Sequence, residues 1–106
     1  MDYGVLAMVG VFVEATVKDF GAWFPGFEAN SERKSIEAEL GVKCMRVIQD
    51  VDNPNHCFAI MHCPSEETFN TFWSDPRIVE LLKGKADMYE SPPVKFGAFN
   101  PHILEE

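Results

Sequence analysis

Residues 56–84, HCFAIMHCPSEETFNTFWSDPRIVELLKG, hold the pattern that decides the fold. The first eight residues are mostly apolar, as in a buried strand, and Pro64 ends that strand. Ser65 then caps a helix with two carboxylates in its first turn, and Asp75 followed by Pro76 is typical of the start of a second helix. The stretch therefore predicts one strand followed at once by two short helices.

The chain before this stretch shows the same order. Residues 4–15 are rich in valine and phenylalanine and predict strand one, after which we expect a helix to begin near Val17. Pro25 is expected to kink or interrupt that helix. Asn30 or Ser31 then caps a second helical piece. The first half thus repeats a strand and a two-part helix.

Two further strands complete the pattern. Residues 42–51 predict strand two, and the turn formers at 52–55 join it to strand three as a hairpin. Residues 85–91 are expected to form a loop, and residues 94–99 to form strand four. The order strand, helix, strand, strand, helix, strand predicts an α+β, ferredoxin-like βαββαβ fold with a four-stranded antiparallel sheet and both helical segments on one face.

The central strands are apolar on both of their faces. No polar side chain occurs in residues 4–13. A sheet covered by helices on one face should carry polar residues on the other if the protein is a monomer. We therefore expect a homodimer in which the second face packs against a copy of itself, the alternative being a monomer with an exposed apolar patch. On strand three the two predicted faces are Phe58, Ile60 and His62, and Cys57, Ala59, Met61 and Cys63.

Length and charge limit the class of protein. The 106 residues predict one domain, residues 1–106, with a core over about 4–99 and a tail over 100–106. The net charge of −8 provides no basic surface for nucleic acid or an anionic membrane. The apolar run at 4–13 is too short to span a bilayer and lacks the flanks of a signal peptide. Three cysteines without a CxxC spacing favour free thiols and a cytoplasmic protein.

Several segments resemble a known family. VKDFGAWF at 17–24, DVDNPN at 50–55, PSEETF at 64–69 and SDP at 74–76 look like the dimeric α+β barrel superfamily, nearest to its antibiotic-biosynthesis-monooxygenase-like members. The resemblance covers roughly residues 5–99. It implies ferredoxin-like sheets that pair into a dimeric barrel. The superfamily includes haem-degrading enzymes, polyketide cyclases and stress-responsive proteins, so the resemblance alone does not choose an activity.

The haem-degrading pattern of that superfamily does not fit this chain. It implies an asparagine on strand one, a tryptophan after strand three and a histidine about ten residues later. Trp73 or Phe72 stands at the tryptophan position, but strand one has no asparagine and the histidine position falls near Leu82. We therefore expect no haem degradation of that type. We also predict that the protein uses no cofactor.

Histidines are the candidate bases. His62 lies at the end of strand three, where a neutral imidazole can take a proton from an acidic phenol or enol, so it is the candidate catalytic residue. The alternative is a structural histidine in the core or an interface. His56 begins the same strand and is expected to be exposed, and His102 lies in the tail. His62 and Cys63 point to opposite faces of a strand, so no metal site is expected.

Aromatic side chains are the candidate ligand-binding residues. They either enclose a planar apolar compound or simply pack the core. Arg46 interrupts strand two, with Cys44 and Ile48 expected on its face, and pairs either with a carboxylate such as Glu14 or Asp50 or with an anionic ligand group. The candidate aromatic residues are Trp23, Phe24, Phe27, Phe72 and Trp73.

Two functions remain open from the sequence. The first is a cofactor-independent monooxygenase or cyclase acting on a small aromatic or polyketide-like compound, which would supply its own reactive carbanion. In it, His62 would be the base and Trp23 and Trp73 would enclose the substrate. The second is a non-catalytic dimeric barrel that binds a small molecule or is related to stress. The sequence identifies no substrate for either function.

Overall fold

The chain folds into one four-stranded antiparallel sheet covered by four helices. This computed structural model describes residues 8–102. The strand order is β2-β3-β1-β4, which is the ferredoxin-like arrangement predicted from the sequence. The elements are β1 (Val9–Val17), α1 (Phe20–Ala29), α2 (Ser31–Leu40), β2 (Lys43–Gln49), β3 (His56–Cys63), α3 (Glu66–Trp73), α4 (Pro76–Gly84) and β4 (Tyr89–Phe99).

Strand β1 is longer at its carboxyl end than predicted. It continues through Val17, whose N–H donates to the Asn55 carbonyl over 2.8 Å, so a helix start near Val17 was wrong. Asp19 is the cap instead, and Asn55 Oδ1 accepts from the N–H of Phe20 over 2.9 Å. The hairpin thus holds the strand extended for two more residues. The predicted start of this strand, at 4–7, lies outside the described residues.

Helix α1 runs through Pro25 without interruption, although an interior proline leaves one carbonyl of the preceding turn without its donor. Asn30 ends α1 and caps α2, since its Oδ1 accepts from the N–H of Arg33 over 2.8 Å. Gly41 ends α2 with φ of 80°, a left-handed conformation that favours glycine. The two-part helix is therefore confirmed, with the division at Asn30.

The second half follows the predicted boundaries except at β4. Ser65 and Asp75 cap α3 and α4, as expected from the sequence. The loop predicted at 85–91 was wrong, because a 3-10 turn over Ala86–Met88 leads directly into a strand that begins at Tyr89. The prolines at 92 and 93 obscured this strand in the sequence. They lie at an edge, where the pairing of β4 with β1 shifts register, and this irregularity accommodates them.

One face of the sheet carries the core. All four helices pack on this face, and they bury alternate residues of the two central strands. A larger cluster lies under α2, α3 and α4, and a smaller one lies under α1. The larger cluster is built on Val11, Val13, Ile36, Val42, Met61, Cys63, Phe69, Phe72 and Ile78, and the smaller one on Val17, Trp23 and Cys57.

The opposite face, here called the open face, has no helix over it in residues 8–102 and is nevertheless apolar. Phe12 makes edge contacts with Phe58 and Phe99, at ring-centroid distances of 6.1 and 5.3 Å. Phe58 in turn contacts Phe96 at 5.4 Å. Phe96 and Phe99 remain 58% and 49% exposed. The sequence-based prediction that both faces are apolar is therefore confirmed for the described strands.

No helix in the described part of the chain is both long enough and apolar enough to cross a membrane.

Candidate small-molecule site

A cavity lies between the core face of the sheet and the helices. Water-sized molecules have a cavity volume of about 90 Å³ there, and the wider atom-free space, which includes the part open to solvent, is about 570 Å³. Its wall is almost entirely apolar, which is usual for sites that bind small organic molecules. The lining residues are Val13, Trp23, Phe27, Arg33, Glu37, Ala59, Met61, Phe72, Trp73, Ile78, Leu81, Leu82, Tyr89 and Pro93.

One wall of the cavity is an aromatic group from α1 and β4. The rings of Trp23 and Phe27 are stacked, with centroids 4.9 Å apart and planes inclined by 24°. Trp23 Nε1 donates to the Tyr89 hydroxyl over 3.0 Å, so the buried indole has its hydrogen-bond partner. Burial raises the pKa of Tyr89, and the hydrogen bond from Trp23 opposes that shift. Tyr89 therefore stays a neutral phenol at the cavity.

The facing wall comes from α3 and α4. Phe72 is buried, and Trp73 stacks on Phe69 with ring centroids 5.5 Å apart. Leu81 and Leu82 of α4 extend this wall. Aromatic rings thus lie on two sides of the cavity, and planar apolar compounds pack well against such surfaces.

The cavity has one ion pair in its wall. Arg33 and Glu37, one turn apart on α2, pair through Nη1 and Oε2, and their side chains are only 13% and 6% exposed. Glu37 Oε1 also accepts from the N–H of Cys44 over 3.3 Å. Arg33 Nη2 donates to the Phe27 carbonyl over 2.7 Å, and its guanidinium carbon lies 4.0 Å from the centroid of the Phe27 ring. These contacts fix the guanidinium against the aromatic wall.

Four of the six residues predicted to bind ligand come together in this cavity: Trp23, Phe27, Phe72 and Trp73. Phe24 and Arg46 do not reach it. They line a neighbouring groove between α1 and β2, which shares Phe27 and Arg33 with the cavity. Phe24 stacks on Phe20 there, with ring centroids 5.3 Å apart.

The expected face of Arg46 was right for Ile48, which opposes Phe58 on the open side, and wrong for Cys44. The pairing of β2 with β3 shifts register between Cys44 and Arg46, so Cys44 opposes Met61 on the core side while Arg46 opposes Ile60 on the open side. Arg46 is exposed and forms no ion pair within residues 8–102. The carboxylates proposed as its partners contact a histidine instead.

That histidine is His56. Its Nε2 lies 2.7 Å from Glu14 Oε2, and its Nδ1 lies 3.2 Å from Asp50 Oδ2. Hydrogen bonds to Glu14 and then to Asp50 raise the pKa of His56, and the N–H of Asp52 with the imidazole of His56 lowers the pKa of Asp50. The expectation of a solvent-exposed His56 was wrong, because the side chain is 27% exposed and held on both sides.

His62 and the cavity lie on opposite faces of the sheet. His62 pairs with Gly10 and Lys43, on the same side as Ile60, whereas the flanking Met61 lines the cavity. The structure therefore does not bring His62 together with the tryptophans, and its catalytic role stays a prediction.

The three cysteines are free thiols. Burial, and then the charge of Glu37, raises the pKa of Cys44 to about 11. Burial also raises the pKa of Cys57 and of Cys63. None is thus activated as a thiolate nucleophile. Among residues 8–102 no group of three or more His, Cys, Asp or Glu side chains is placed to hold a metal ion.

Sequence reasoning missed Arg33, Glu37 and Tyr89 in the cavity wall. The i, i+4 spacing of Arg33 and Glu37 is typical of a solvated surface pair, so nothing in the pattern marked it as buried. Tyr89 fell in the predicted loop. A sequence signal existed only for the aromatic residues, whose three-and-four spacing placed them on one face of each helix.

Comparison by sequence finds no match, since no family model and no curated protein matches the chain. Solved structures do match. They include the cofactor-independent oxygenase SnoaB from Streptomyces nogalater, with TM-score 0.66, 16% identity and coverage of 92% of this chain and 96% of that one. A conserved protein from Methanosarcina mazei has TM-score 0.58, 11% identity and coverage of 96% and 100%.

A third structure contains a ligand. The monooxygenase from the gene ActVA-Orf6 of Streptomyces coelicolor, in complex with Nanaomycin D, matches with TM-score 0.70, 16% identity and coverage of 96% of this chain and 95% of that one. The chain is thus a ferredoxin-like α+β protein with an internal cavity. More closely, it has the fold of the antibiotic-biosynthesis-monooxygenase-like proteins.

Proposed function

We propose that this protein is a cofactor-independent oxygenase or cyclase that takes a small aromatic or polyketide-like compound into the cavity between sheet and helices. The observation that carries the proposal is the aromatic lining on two sides of that cavity, from Trp23 and Phe27 on one wall and Phe72 and Trp73 on the other. The similarity to SnoaB and to the ligand-bound structure is in agreement with it.

In this reaction the substrate itself supplies the reactive carbanion, so the protein has only to bind and orient it. A ring CH2 group acidified by neighbouring carbonyl and aryl groups can lose a proton and then react with O2 through its own carbanion. The CH2 group becomes a carbonyl, and the second oxygen atom leaves as water with the two hydrogens. The substrate supplies the electrons and O2 is the oxidant. The residues of the cavity would orient the ring and exclude bulk water.

The open face supports a homodimer as part of the proposal. Val94, Phe96 and Phe99 of β4 and Ile48 of β2 are 40–58% exposed there. An apolar surface of this kind is unusual on a monomer and typical of an interface. Two copies would place their open faces together and leave each cavity on the outside of the paired sheets. We also place the protein in the cytoplasm, which its three free thiols favour.

The position of His62 favours the second candidate, a non-catalytic barrel that binds a small molecule. His62 was the predicted base, and it lies on the face opposite the cavity. A cavity that encloses an aromatic compound without this base suits a carrier or sensor as well as an enzyme.

The test is O2 uptake with anthrone, whose ring CH2 is acidic. Its oxidation product, anthraquinone, has an absorption spectrum distinct from that of anthrone, so product formation can be followed as well. We expect oxidation above the uncatalysed rate. Leu82→Trp fills the cavity and should lower that rate at least about tenfold, because a substrate displaced from the reactive position loses its orientation. Val51→Trp adds the same side chain at a turn position that is 94% exposed and should leave the rate unchanged.

The other outcomes choose between the candidates. Anthrone binding without turnover would reject the oxygenase and favour the non-catalytic protein. Turnover that survives Leu82→Trp but is lost in His62→Ala would move the reaction to the open face and reject the cavity. Loss of turnover in both tryptophan variants would show that the effect of Leu82→Trp is not specific to the cavity.

A further inference from the structure

Basic side chains gather along the outer edge of β2, although the chain as a whole has a net charge of −8. Of its nine lysines and arginines, four pair with carboxylates within residues 8–102 and five form no ion pair there. Three of those five, Lys34, Lys43 and Arg46, are exposed and line two recesses between β2 and the helices α1 and α2. The edge of β2 thus holds most of the unpaired positive charge in the described residues.

The two recesses form one groove, here called the basic groove, because Arg33, Lys34 and Cys44 line both of them. Its charged lining consists of four cations and two carboxylates, and one of those carboxylates, Glu37, is already paired with Arg33. The groove also has an apolar part, formed by Phe24, Met45 and Val47, in which Met45 is 48% exposed. It therefore fits a partner that carries apolar and acidic groups side by side.

The chain itself contains a segment with this pattern. Residues 103–106, which follow the described part of the chain, are Ile-Leu-Glu-Glu. Two apolar side chains are followed directly by two carboxylates. Residues 1–7, which precede the described part, contain one acidic residue only, Asp2. Charge complementarity therefore favours residues 103–106 as the occupant of the basic groove.

The register of the sheet places the groove within reach of this segment. Phe99, the last residue of β4, pairs with Gly10, Gly10 pairs with His62, and His62 pairs with Lys43. Phe99 and Lys43 thus lie at the same end of the sheet, three strand spacings or about 14 Å apart. Residues 100–106 span up to about 24 Å when extended. The segment can therefore extend from β4 to the groove beside β2 within one chain.

A segment of the same chain suits the groove better than a separate acidic molecule does. The remainder of the chain is acidic and repels an acidic molecule that approaches from solution. Exposed ion pairs also contribute little one by one. A tethered segment, however, is present at an effective concentration of about millimolar or above, so a few weak contacts are enough to hold it.

We propose that residues 103–106 dock into the basic groove of their own chain. Ile103 and Leu104 would contact its apolar part, and the carboxylates of Glu105 and Glu106 would pair with the unpaired cations of its rim. The proposal does not depend on any catalytic activity. Because the basic groove shares Phe27 and Arg33 with the cavity, the docked segment would lie next to the cavity.

Side chains rather than the backbone would hold the segment at the centre of the groove. The N–H of Cys44, on the edge strand β2, already donates to Glu37 Oε1 over 3.3 Å. The next residue, Met45, lies at the register shift between β2 and β3. A bonded N–H and an irregular edge both disfavour the addition of a further strand there.

The test is cross-linking of the unmodified protein with a carbodiimide. This reagent joins a carboxylate to a lysine amine in contact with it, forms an amide, and takes up the released water as a urea. Proteolysis and mass spectrometry then locate the linked residues. We expect Glu105 or Glu106 to be linked to Lys34 or Lys43, and the yield to fall at least about twofold in 1 M NaCl, which screens exposed charges.

Lys18 is the internal control for this experiment. It is exposed and forms no ion pair within residues 8–102, like the groove lysines. It lies eight residues from Gly10 along β1, about 26 Å from the row of Phe99, which is beyond the extended length of residues 100–106. Linkage to the groove lysines should exceed linkage to Lys18 at least about fivefold.

A charge exchange tests the same contacts from the other side. Glu105→Lys with Glu106→Lys should abolish the link. Adding Lys34→Glu and Lys43→Glu should restore it with the acidic and basic partners exchanged. Adding Lys18→Glu in their place is the matched control and should restore nothing.

Several results would overturn the proposal. Linkage to Lys18 as strong as that to the groove lysines would show that the segment has no preferred position. An equal mixture of 14N-labelled and 15N-labelled protein should give linked peptides with one label only, and linked peptides of mixed label alone would assign the segment to a second copy. Absence of any link to Lys34 or Lys43 in the unmodified protein would reject the docking even if the exchanged variants do not fold.

Discussion

Both faces of the sheet carry apolar side chains, but the two faces bury them differently. On the core face, Val11, Cys63 and Phe69 have no measurable exposure, and the helices close over them. On the open face, Phe12 and Phe58 pack against neighbouring rings of the same sheet, and Phe96 remains 58% exposed. Within residues 8–102, helices cover one face and leave the other open.

The two faces of this small domain therefore offer two different kinds of surface. The core face keeps an internal cavity, with an aromatic lining and a buried ion pair, at the position where the helices do not fill the space above the sheet. The open face has a cluster of ionisable groups at the hairpin end, where His56 bridges Glu14 and Asp50. A ligand and a second copy would therefore use opposite sides of the same four strands.

The largest expected effect is on the core face. Phe69→Ala removes a side chain with no exposure that packs against Phe72 and Trp73, and should lower the free energy of unfolding by about 3–5 kcal/mol. Phe96→Ala makes the same change at an exposed ring of the open face and is the matched control. Urea unfolding at a concentration where the protein is monomeric measures both. A cost for Phe96→Ala as large as that for Phe69→Ala would contradict the distinction between the faces.

The next effect concerns assembly. Phe96→Glu places a charge on the open face, and burying it without a partner in an interface is strongly unfavourable. We expect sedimentation equilibrium to give about 24 kDa for the unmodified protein, twice the 12.0 kDa chain, and about 12 kDa for the variant. Glu80→Gln, at a surface residue of α4, should leave the mass at the dimer value. A monomeric unmodified protein would reject the dimer.

The smallest effect is the pH dependence given by His56. Because its carboxylate partners raise its pKa in the folded protein, His56 stabilises the fold fully below its ordinary pKa of about 6.5. That contribution is lost as the pH rises through the higher folded-state value. Unfolding measured from pH 5.5 to 9 should therefore show the stability advantage over His56→Gln shrinking as the pH increases.

His62→Gln is the matched control for this titration, since it removes a histidine from the same face and strand but leaves the carboxylate pair of His56 in place. An advantage over His56→Gln that grew with rising pH would contradict the assigned direction. An equal pH dependence in both variants would show that the bridge between Glu14 and Asp50 is not its source.

The sequence predicted the sheet and its helix caps well because those depend on local chemistry. Ser65, Asp75 and Asn30 each cap the helix they were expected to cap. The boundaries that failed depend on distant residues. Val17 stays in its strand because Asn55, far along the chain, bonds to it, and β4 begins early because pairing with β1 overrides the local effect of two prolines.

The site was less predictable for the same reason. Spacing alone placed Trp23, Phe27, Phe72 and Trp73 on helix faces, and the fold brings those faces together. A one-residue register shift in β2 determined the surroundings of Arg46, and no local pattern indicates such a shift. The burial of the ion pair between Arg33 and Glu37 could not be predicted from the sequence, because it depends on how α2 lies on the sheet.

The two prolines in β4 also limit how copies of this protein can associate. An edge strand with unpaired N–H and C=O groups is a template for a further strand, which is a common route to aggregation. Pro92 and Pro93 have no N–H to offer, and the irregular pairing around them disturbs the pleat of the edge. A further strand therefore cannot pair with β4 along its whole length, because the prolines interrupt the pairing in the middle of β4. An apolar open face can then be kept for self-association without the sheet growing sideways into fibres.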